Sequence, residues 1–262
     1  MELKAITEQV SLIAKEVGVF IKKESENFIE NDIKIKSKNS LVTYVDQIAE
    51  KKIVEFLSQL IPKSGFIAEE GTSTKKGETF NWIIDPLDGT TNFIHGIPSY
   101  CVSIALLKNE ELIIGVIYDP NRDELFSAWK NGGSFLNQKP ITVSKTDKLS
   151  EGLIATGFPY YDYEKLDAYM DVLAWLMHNT RGVRRIGSAA IDLAYVACGR
   201  FEGFYEYSLN PWDVAAGALI VIESGGGVSD FKGGENYLFG KNIVASNLKV
   251  KDELLNKIKN SF

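Results

Sequence analysis

The run Trp82-Ile83-Ile84-Asp85-Pro86-Leu87-Asp88-Gly89-Thr90-Thr91-Asn92-Phe93 takes an apolar, strand-like segment straight into two carboxylates, a glycine and two hydroxyls. A carboxylate that directly follows a buried strand needs a cation or several donors, because an unpaired buried charge is very costly. Pro86 fixes φ and turns the chain, so that Asp85 and Asp88, three apart, converge on one point. Gly89 lets the backbone come close to an anion, and Thr90 to Asn92 read as the start of a short helix whose free N–H groups suit phosphate. A lone Asp-Gly pair would read as an Asx-type turn. Here four potential oxygen ligands lie within residues 85–90, which favours a ligand loop. An EF-hand needs ligands at alternate positions with a distal glutamate, and phosphatases of the haloacid-dehalogenase type need aspartates two apart; neither spacing matches Asp85 and Asp88.

Two further carboxylate positions repeat the theme. Glu69-Glu70 follows the apolar run Gly65-Phe66-Ile67-Ala68 as Asp85 follows Trp82 to Ile84. A glutamate pair alone is ordinary solvated surface, but its place at a second strand end makes it a candidate. Asn210-Pro211-Trp212-Asp213 opens the apolar helix Val214 to Ile222, with Asn210 as N-cap and Pro211 in the first turn. An aspartate there either favours the helix dipole or serves a site.

The elements that must position these groups are legible from periodicity. Leu3, Ile6, Val10, Ile13, Val17 and Phe20 keep helical spacing, and Ala49, Ile53, Phe56 and Leu60 repeat it before Pro62. Between them, Lys34 to Thr43 reads as strand or loop. Short β-rich runs follow at Gly65 to Ala68, Trp82 to Ile84, Tyr100 to Leu107, Leu112 to Tyr118 and Glu124 to Trp129. The second half alternates: strand Leu153 to Thr156, helix Tyr163 to His178, strand Gly182 to Arg185, helix Ser188 to Cys198, strand Phe201 to Tyr207, helix Pro211 to Ser224, strand Ile243 to Ser246, and a last helix. That alternation predicts a second sheet covered by helices. Nothing resembling a linker divides the halves, so residues 1–262 are expected to form one catalytic unit. Its two lobes are a strand-rich metal-binding lobe to about 145 and a substrate-side α/β lobe from about 146, with the site in a cleft between them.

Composition excludes several classes. With 45% hydrophobic residues and 11% aromatics the chain has ample core material. The net charge of -6, from 35 acidic and 29 basic residues spread along the chain, offers no basic stripe for general nucleic-acid binding. The N-terminus is charged and amphipathic rather than signal-like, and the most apolar stretch is far short of the roughly 20 residues a membrane span needs, so a cytoplasmic location is expected. Cys101 and Cys198 each sit in an apolar segment and suit buried reduced thiols better than a disulfide framework. With two histidines in the chain a zinc cluster is hard to assemble.

Four segments, Gly65 to Glu70, Trp82 to Phe93, Arg184-Arg185-Ile186-Gly187-Ser188-Ala189-Ala190 and Pro211 to Gly217, stand in an order and spacing that resembles the inositol monophosphatase family in its bacterial form, over essentially the full length. The resemblance implies a layered α-β-α-β-α sandwich of α/β (α+β) class with two sheets. It also implies a homodimer, and hydrolysis of a phosphate monoester with two or three Mg²⁺ and sensitivity to Li⁺. By position it implies metal ligands at Glu69, Asp85, the Leu87 carbonyl, Asp88 and Asp213. Glu69 and Thr90 fall on the water-activating side, with Asp46 behind Thr90 or, alternatively, serving as N-cap of the helix that follows. Substrate contacts fall on Leu87, Asp88, Gly89, Thr90, Arg184, Gly187, Ser188, Ala189, Glu206 and Asp213. Arg184 reads equally as a surface ion-pair partner, Lys36 as a solvated strand lysine, and His95 and His178 as structural. An all-oxygen ligand set suits Mg²⁺. The expected substrate is a small phosphorylated polyol or sugar, myo-inositol 1-phosphate first. Alternatives are fructose-1,6-bisphosphate, 3'-phosphoadenosine 5'-phosphate and histidinol phosphate within the same fold, or a non-catalytic binding module.

Overall fold

A computed structural model describes residues 2–26, 34–37, 40–159 and 162–262, and side chains of residues 34–37 and 40–42 lie outside what is described, Lys36 among them. Helix α1 (Leu3–Ser25) buries Val10, Ile13, Ala14, Val17 and Ile21, the i, i+3, i+4 stripe of a helix packed by one face. After the β1 (Lys34–Ser37) and β2 (Ser40–Val42) hairpin comes α2 (Tyr44–Leu60), whose core stripe is Val45, Ala49, Ile53 and Leu57. Both helices lie on one face of a sheet of seven strands: β3 (Gly65–Ala68), β4 (Phe80–Asp88), β5 (Cys101–Lys108), β6 (Glu111–Asp119), β7 (Glu124–Trp129), β8 (Gly133–Leu136) and β9 (Lys139–Ile141). The strands follow chain order. The β3–β4 pair is parallel and the rest are antiparallel, and the five-residue helix α3 (Thr90–Ile94) leaves the end of β4.

The second half forms β10 (Leu153–Thr156), α4 (Leu166–Asn179), β11 (Gly182–Arg184), α5 (Ala189–Ala197), β12 (Gly203–Tyr207), α6 (Pro211–Glu223), β13 (Gly227–Ser229), β14 (Asn242–Ser246) and α7 (Lys251–Ser261). Its sheet runs β11-β10-β12-β14-β13. β10 is parallel to both neighbours, and β14 is antiparallel to both of its own. Alternating β–α segments therefore give a mixed sheet, not a wholly parallel one, because β14 returns from α6 by way of β13.

Strand parity sorts side chains into layers. Along β4, Trp82 and Ile84 face α1 and α2, whereas Ile83 faces α5 and α6 with Ala105 and Ile117. The far side of α5 and α6 meets Ala155, Phe204, Ile243 and Ala245 of the second sheet. Beyond that sheet, Ile154, Tyr205 and Val244 pack on α4 and α7. The layers are thus α-β-α-β-α, as the family resemblance implies. Helices α5 and α6 are predominantly apolar because both lie between the sheets, and every residue from Val214 to Val221 is buried.

Differences from the sequence reading are local. Strands β8, β9 and β13 went unread; each has three or four residues, with glycine or polar positions that carry little alternation. Asp46 is not the N-cap of α2. Thr43 holds that place, and Asp46 is the third residue of a capping box, its Oδ2 accepting from the Thr43 N–H at 2.9 Å and hydroxyl at 2.6 Å. Cys101 is buried and Cys198 half-buried, both as free thiols. Among the described residues no helix is long and apolar enough to cross a membrane.

Candidate active site

Two strand ends, three helix N-termini and the residues after β12 meet at one cleft, about 870 Å³ with its mouth included. β4 reaches it through a bulge, since Asp85 pairs with Ser103 but Asp88 pairs with Cys101, three residues against two. The extra residue bends the strand and brings Asp85, Leu87 and Asp88 to the same cleft wall. Asp85 Oδ1 accepts the Leu87 N–H at 2.9 Å, closing the Asp-Pro-Leu turn. Gly89 then adopts φ 98°, and a Cβ there would lie 2.9 Å from the Ser99 carbonyl oxygen, so only glycine lets the chain turn into α3.

Asp88 is tied across the molecule. Its Oδ2 accepts the Ser188 hydroxyl at 2.6 Å and the Ala190 N–H at 2.8 Å, at the N-terminus of α5. Ser188 is also the N-cap of that helix, accepting the Ile191 N–H at 3.2 Å. Asp213 sits in the first turn of α6 and its Oδ2 accepts the Asn210 N–H at 2.7 Å, so the helix-start and site readings of this residue are both realised in position. Glu69 follows β3, where its N–H donates to the Ile84 carbonyl at 3.2 Å. The loop beyond is held by a residue that sequence reasoning passed over: fully buried Glu50 of α2 accepts the Glu70 and Thr72 N–H groups, each at 2.7 Å. Thr90 Oγ1 lies 3.2 Å from Asp46 Oδ1 and 3.0 Å from the Leu87 carbonyl oxygen, within donating reach of either. Asp46 thus joins its capping role to a contact with Thr90.

The electrostatics are those of crowded acids. Burial, then Glu69, Asp88 and Asp213, raise Asp85 well above the ordinary carboxylate range. Burial, followed by Asp88, Glu69 and Glu206, does the same to Asp213 against the opposing Asn210 bond. Burial also lifts Asp88 to about 6 despite its donors Ser188 and Ala190. Such a cluster stays ionised only with cations beside it. The donor set fits Mg²⁺: Glu69, Asp85, Asp88 and Asp213, with the Leu87 carbonyl, are hard oxygens. Among the described residues no three acidic, histidine or cysteine side chains gather on a single point.

On the opposite wall, Gly187, Ser188 and Ala189 line the cleft with Glu206 of β12, as expected from sequence. Arg184 does not. It is exposed and its Nη1 donates to the Val183 carbonyl at 3.0 Å, whereas Arg185 lines the cleft with its guanidinium carbon 5.3 Å from the Phe158 ring centroid. The side chains alternate along the extended run, so a one-residue misreading moves the charge to the other face. Asp192 of α5 also lines the cleft and was missed. Its signal was a lone carboxylate inside the otherwise apolar helix Ala-Ala-Ile-Asp-Leu-Ala-Tyr-Val-Ala. His95 and His178 are exposed and line no part of the cleft.

Comparison with known proteins is consistent over the whole chain. The profile of the inositol monophosphatase family matches residues 2–261. An inositol-1-monophosphatase of Mesorhizobium japonicum is 42% identical over 228 residues, 87% of this chain and 86% of that protein. The Nus factor SuhB of Escherichia coli K12 is 42% identical over 243 residues, 92% of this chain and 91% of that protein. The crystal structure of the extragenic suppressor protein suhB from Bartonella henselae superposes with a TM-score of 0.92 at 39% identity, covering 98% of this chain and all of that one.

Proposed function

Since the chain belongs to the inositol monophosphatase family, we propose that it is a Mg²⁺-dependent phosphomonoesterase acting on a small phosphorylated polyol, myo-inositol 1-phosphate before others. The observation that carries this reading is the convergence of Glu69, Asp85, Asp88 and Asp213 on one cleft, where the neighbouring acids help to raise the pKa of Asp85 and of Asp213. Two or three Mg²⁺ held there would neutralise the phosphate, supply a water of lowered pKa and stabilise the leaving alkoxide.

The protein's own groups then have distinct tasks. Glu69 and Thr90 orient the attacking water, and the Thr90 proton points to Asp46 or to the Leu87 carbonyl, which leaves a hydroxyl lone pair for the water. Asp88, fixed by Ser188 and Ala190, keeps its other oxygen for the metal side. Gly89 and the Thr90 N–H face the phosphate, while Gly187, Ser188, Ala189 and Glu206 face the leaving group with Asp213. Water attacks phosphorus in line with the ester oxygen, so no covalent enzyme intermediate is needed. Both lobes contribute to this one catalytic unit, and a homodimer, Li⁺ sensitivity and a cytoplasmic location accompany the reading.

A second reading comes from the relatives named Nus factor SuhB, by which the chain has a Nus-factor role with or without turnover. Phosphate release from myo-inositol 1-phosphate, with Mg²⁺ and after chelation, separates the two. Mg²⁺-dependent release is expected; its absence on myo-inositol 1-phosphate, fructose-1,6-bisphosphate and 3'-phosphoadenosine 5'-phosphate alike would leave the Nus-factor role as the better account.

A further inference from the structure

Two carboxyl groups on the leaving-group wall accept no hydrogen bond among the described residues, though the Arg185 charge acts on both. Asp192, in the first turn of α5, is only 1% exposed, and its Oδ1 is enclosed without a hydrogen-bond partner among the described residues. Glu206 on β12 is 6% exposed, and no hydrogen bond among the described residues engages its carboxyl. Both line the cleft. Room has been kept for the second of them: a Cβ on Gly157 would lie 2.1 Å from both Glu206 carboxyl oxygens. Unsatisfied acceptors buried in this way cost stability unless a ligand completes them. Among the described residues Arg185 is the one cation that shares this wall with them, so the two acids outnumber it.

What completes such a wall must bring donors and must not bring further negative charge. A vicinal diol or larger polyol offers neutral O–H donors at the spacing of adjacent ring carbons. A second phosphate brings acceptors to a wall of acceptors, and once both groups ionise it faces two carboxylates at short range, with Arg185 the offsetting cation among the described residues. We propose that Asp192 is a specificity-determining residue: beside Glu206 it accepts a hydroxyl of a neutral, polyhydroxylated leaving group and turns away substrates that carry a second phosphate. The proposal rests on the phosphomonoesterase reading above and narrows it. It ranks polyol monophosphates over fructose-1,6-bisphosphate and 3'-phosphoadenosine 5'-phosphate in the same cleft.

The test compares the parent with Asp192→Asn and with Gly157→Ala, which displaces Glu206, after thermal unfolding has shown that each variant is folded. Turnover in Mg²⁺ is measured on myo-inositol 1-phosphate, fructose-1,6-bisphosphate, phosphoethanolamine and p-nitrophenyl phosphate, and binding of free myo-inositol is measured by calorimetry. For Asp192→Asn, kcat/KM on myo-inositol 1-phosphate is expected to fall about tenfold or more, as for a site built to bond a substrate hydroxyl. The p-nitrophenyl phosphate value should stay within about twofold and the bisphosphate value should rise, because a repulsive charge has gone. Gly157→Ala should shift the ratios the same way. Equal loss on all four substrates would overturn the proposal in favour of a support role for Asp192, and so would a parent that prefers the bisphosphate or the aminoalkyl phosphate. If the parent turns over nothing yet binds myo-inositol about tenfold more tightly than Asp192→Asn, the phosphatase reading falls and the polyol site stands. No turnover with no inositol binding removes both.

Discussion

The two walls of the cleft treat their carboxylates in opposite ways. On the metal side Asp85, Asp88 and Asp213 each accept at least one short hydrogen bond from a backbone N–H, and Asp88 adds the Ser188 hydroxyl. On the leaving-group side Asp192 and Glu206 are as deeply buried but accept none among the described residues. Donors fix an oxygen before any ligand arrives, which suits a small ion with strict octahedral demands. Carboxyls without donors keep all their acceptor capacity for a ligand that varies in shape. On this reading one wall orients and the other selects.

The largest effect should come from breaking the oriented wall at its most connected point. Asp88→Asn retains an acceptor for Ser188 and Ala190 but loses the charge, and kcat with Mg²⁺ is expected to fall by about 10³-fold with little change in thermal stability. Steady-state phosphate release beside a melting curve checks this, and a loss of stability comparable to the loss of activity would mean that Asp88 is a structural anchor only.

A smaller effect is expected one layer behind. Glu50→Gln leaves one carbonyl oxygen where two carboxylate oxygens held the Glu70 and Thr72 N–H groups, so the loop carrying Glu69 loosens. The Mg²⁺ concentration for half-maximal rate should rise about 10- to 100-fold, the usual reach of groups that support metal ligands. A Mg²⁺ titration that superposes on the parent's would show that the clamp does not position Glu69.

The smallest effect concerns the other wall and is read as stability. Burial, then Asp88, raises Glu206 from its ordinary 4.5 to about 8, against the pull of Arg185. The folded protein therefore binds that proton more tightly than the unfolded chain, and the stability linked to it is full below pH 4.5 and lost as pH rises to about 8. Glu206→Gln mimics the neutral form. In metal-free protein its melting temperature should match the parent's at low pH and exceed it by a margin that grows up to about pH 8 and then levels off. A constant offset across the range would place the cause in packing instead of charge.

Much of this architecture is readable in the residues, and the misreadings have physical reasons. Abrupt passage from apolar strand to carboxylate announces Glu69 and Asp85, because burial makes such residues expensive without a purpose. Helical stripes in α1 and α2 and the uninterrupted apolar run of α6 report how many faces each helix buries. Arg185 escaped because strand parity depends on a boundary that a three-residue strand does not reveal. Glu50 looked like one acid among many on an amphipathic helix; only its depth beneath the Glu70 loop, a long-range fact, distinguishes it. Asp192 was legible in principle, as the single charge in an apolar helix, but its cleft is made by segments far away in the chain.

Helix α6 lies between the two sheets with Asp213 at its head, while at its tail Glu223 accepts the Asn131 and Gly133 N–H groups at 2.9 and 3.0 Å. Clamped at both ends and buried from Val214 to Val221, its central amides are expected to exchange slowly with solvent. Asp213 therefore stands on a deeply buried helix, whereas Glu69 stands on a loop held from behind by Glu50. A change that loosens the Glu50 clamp is expected to act on Glu69 and to leave Asp213 in place.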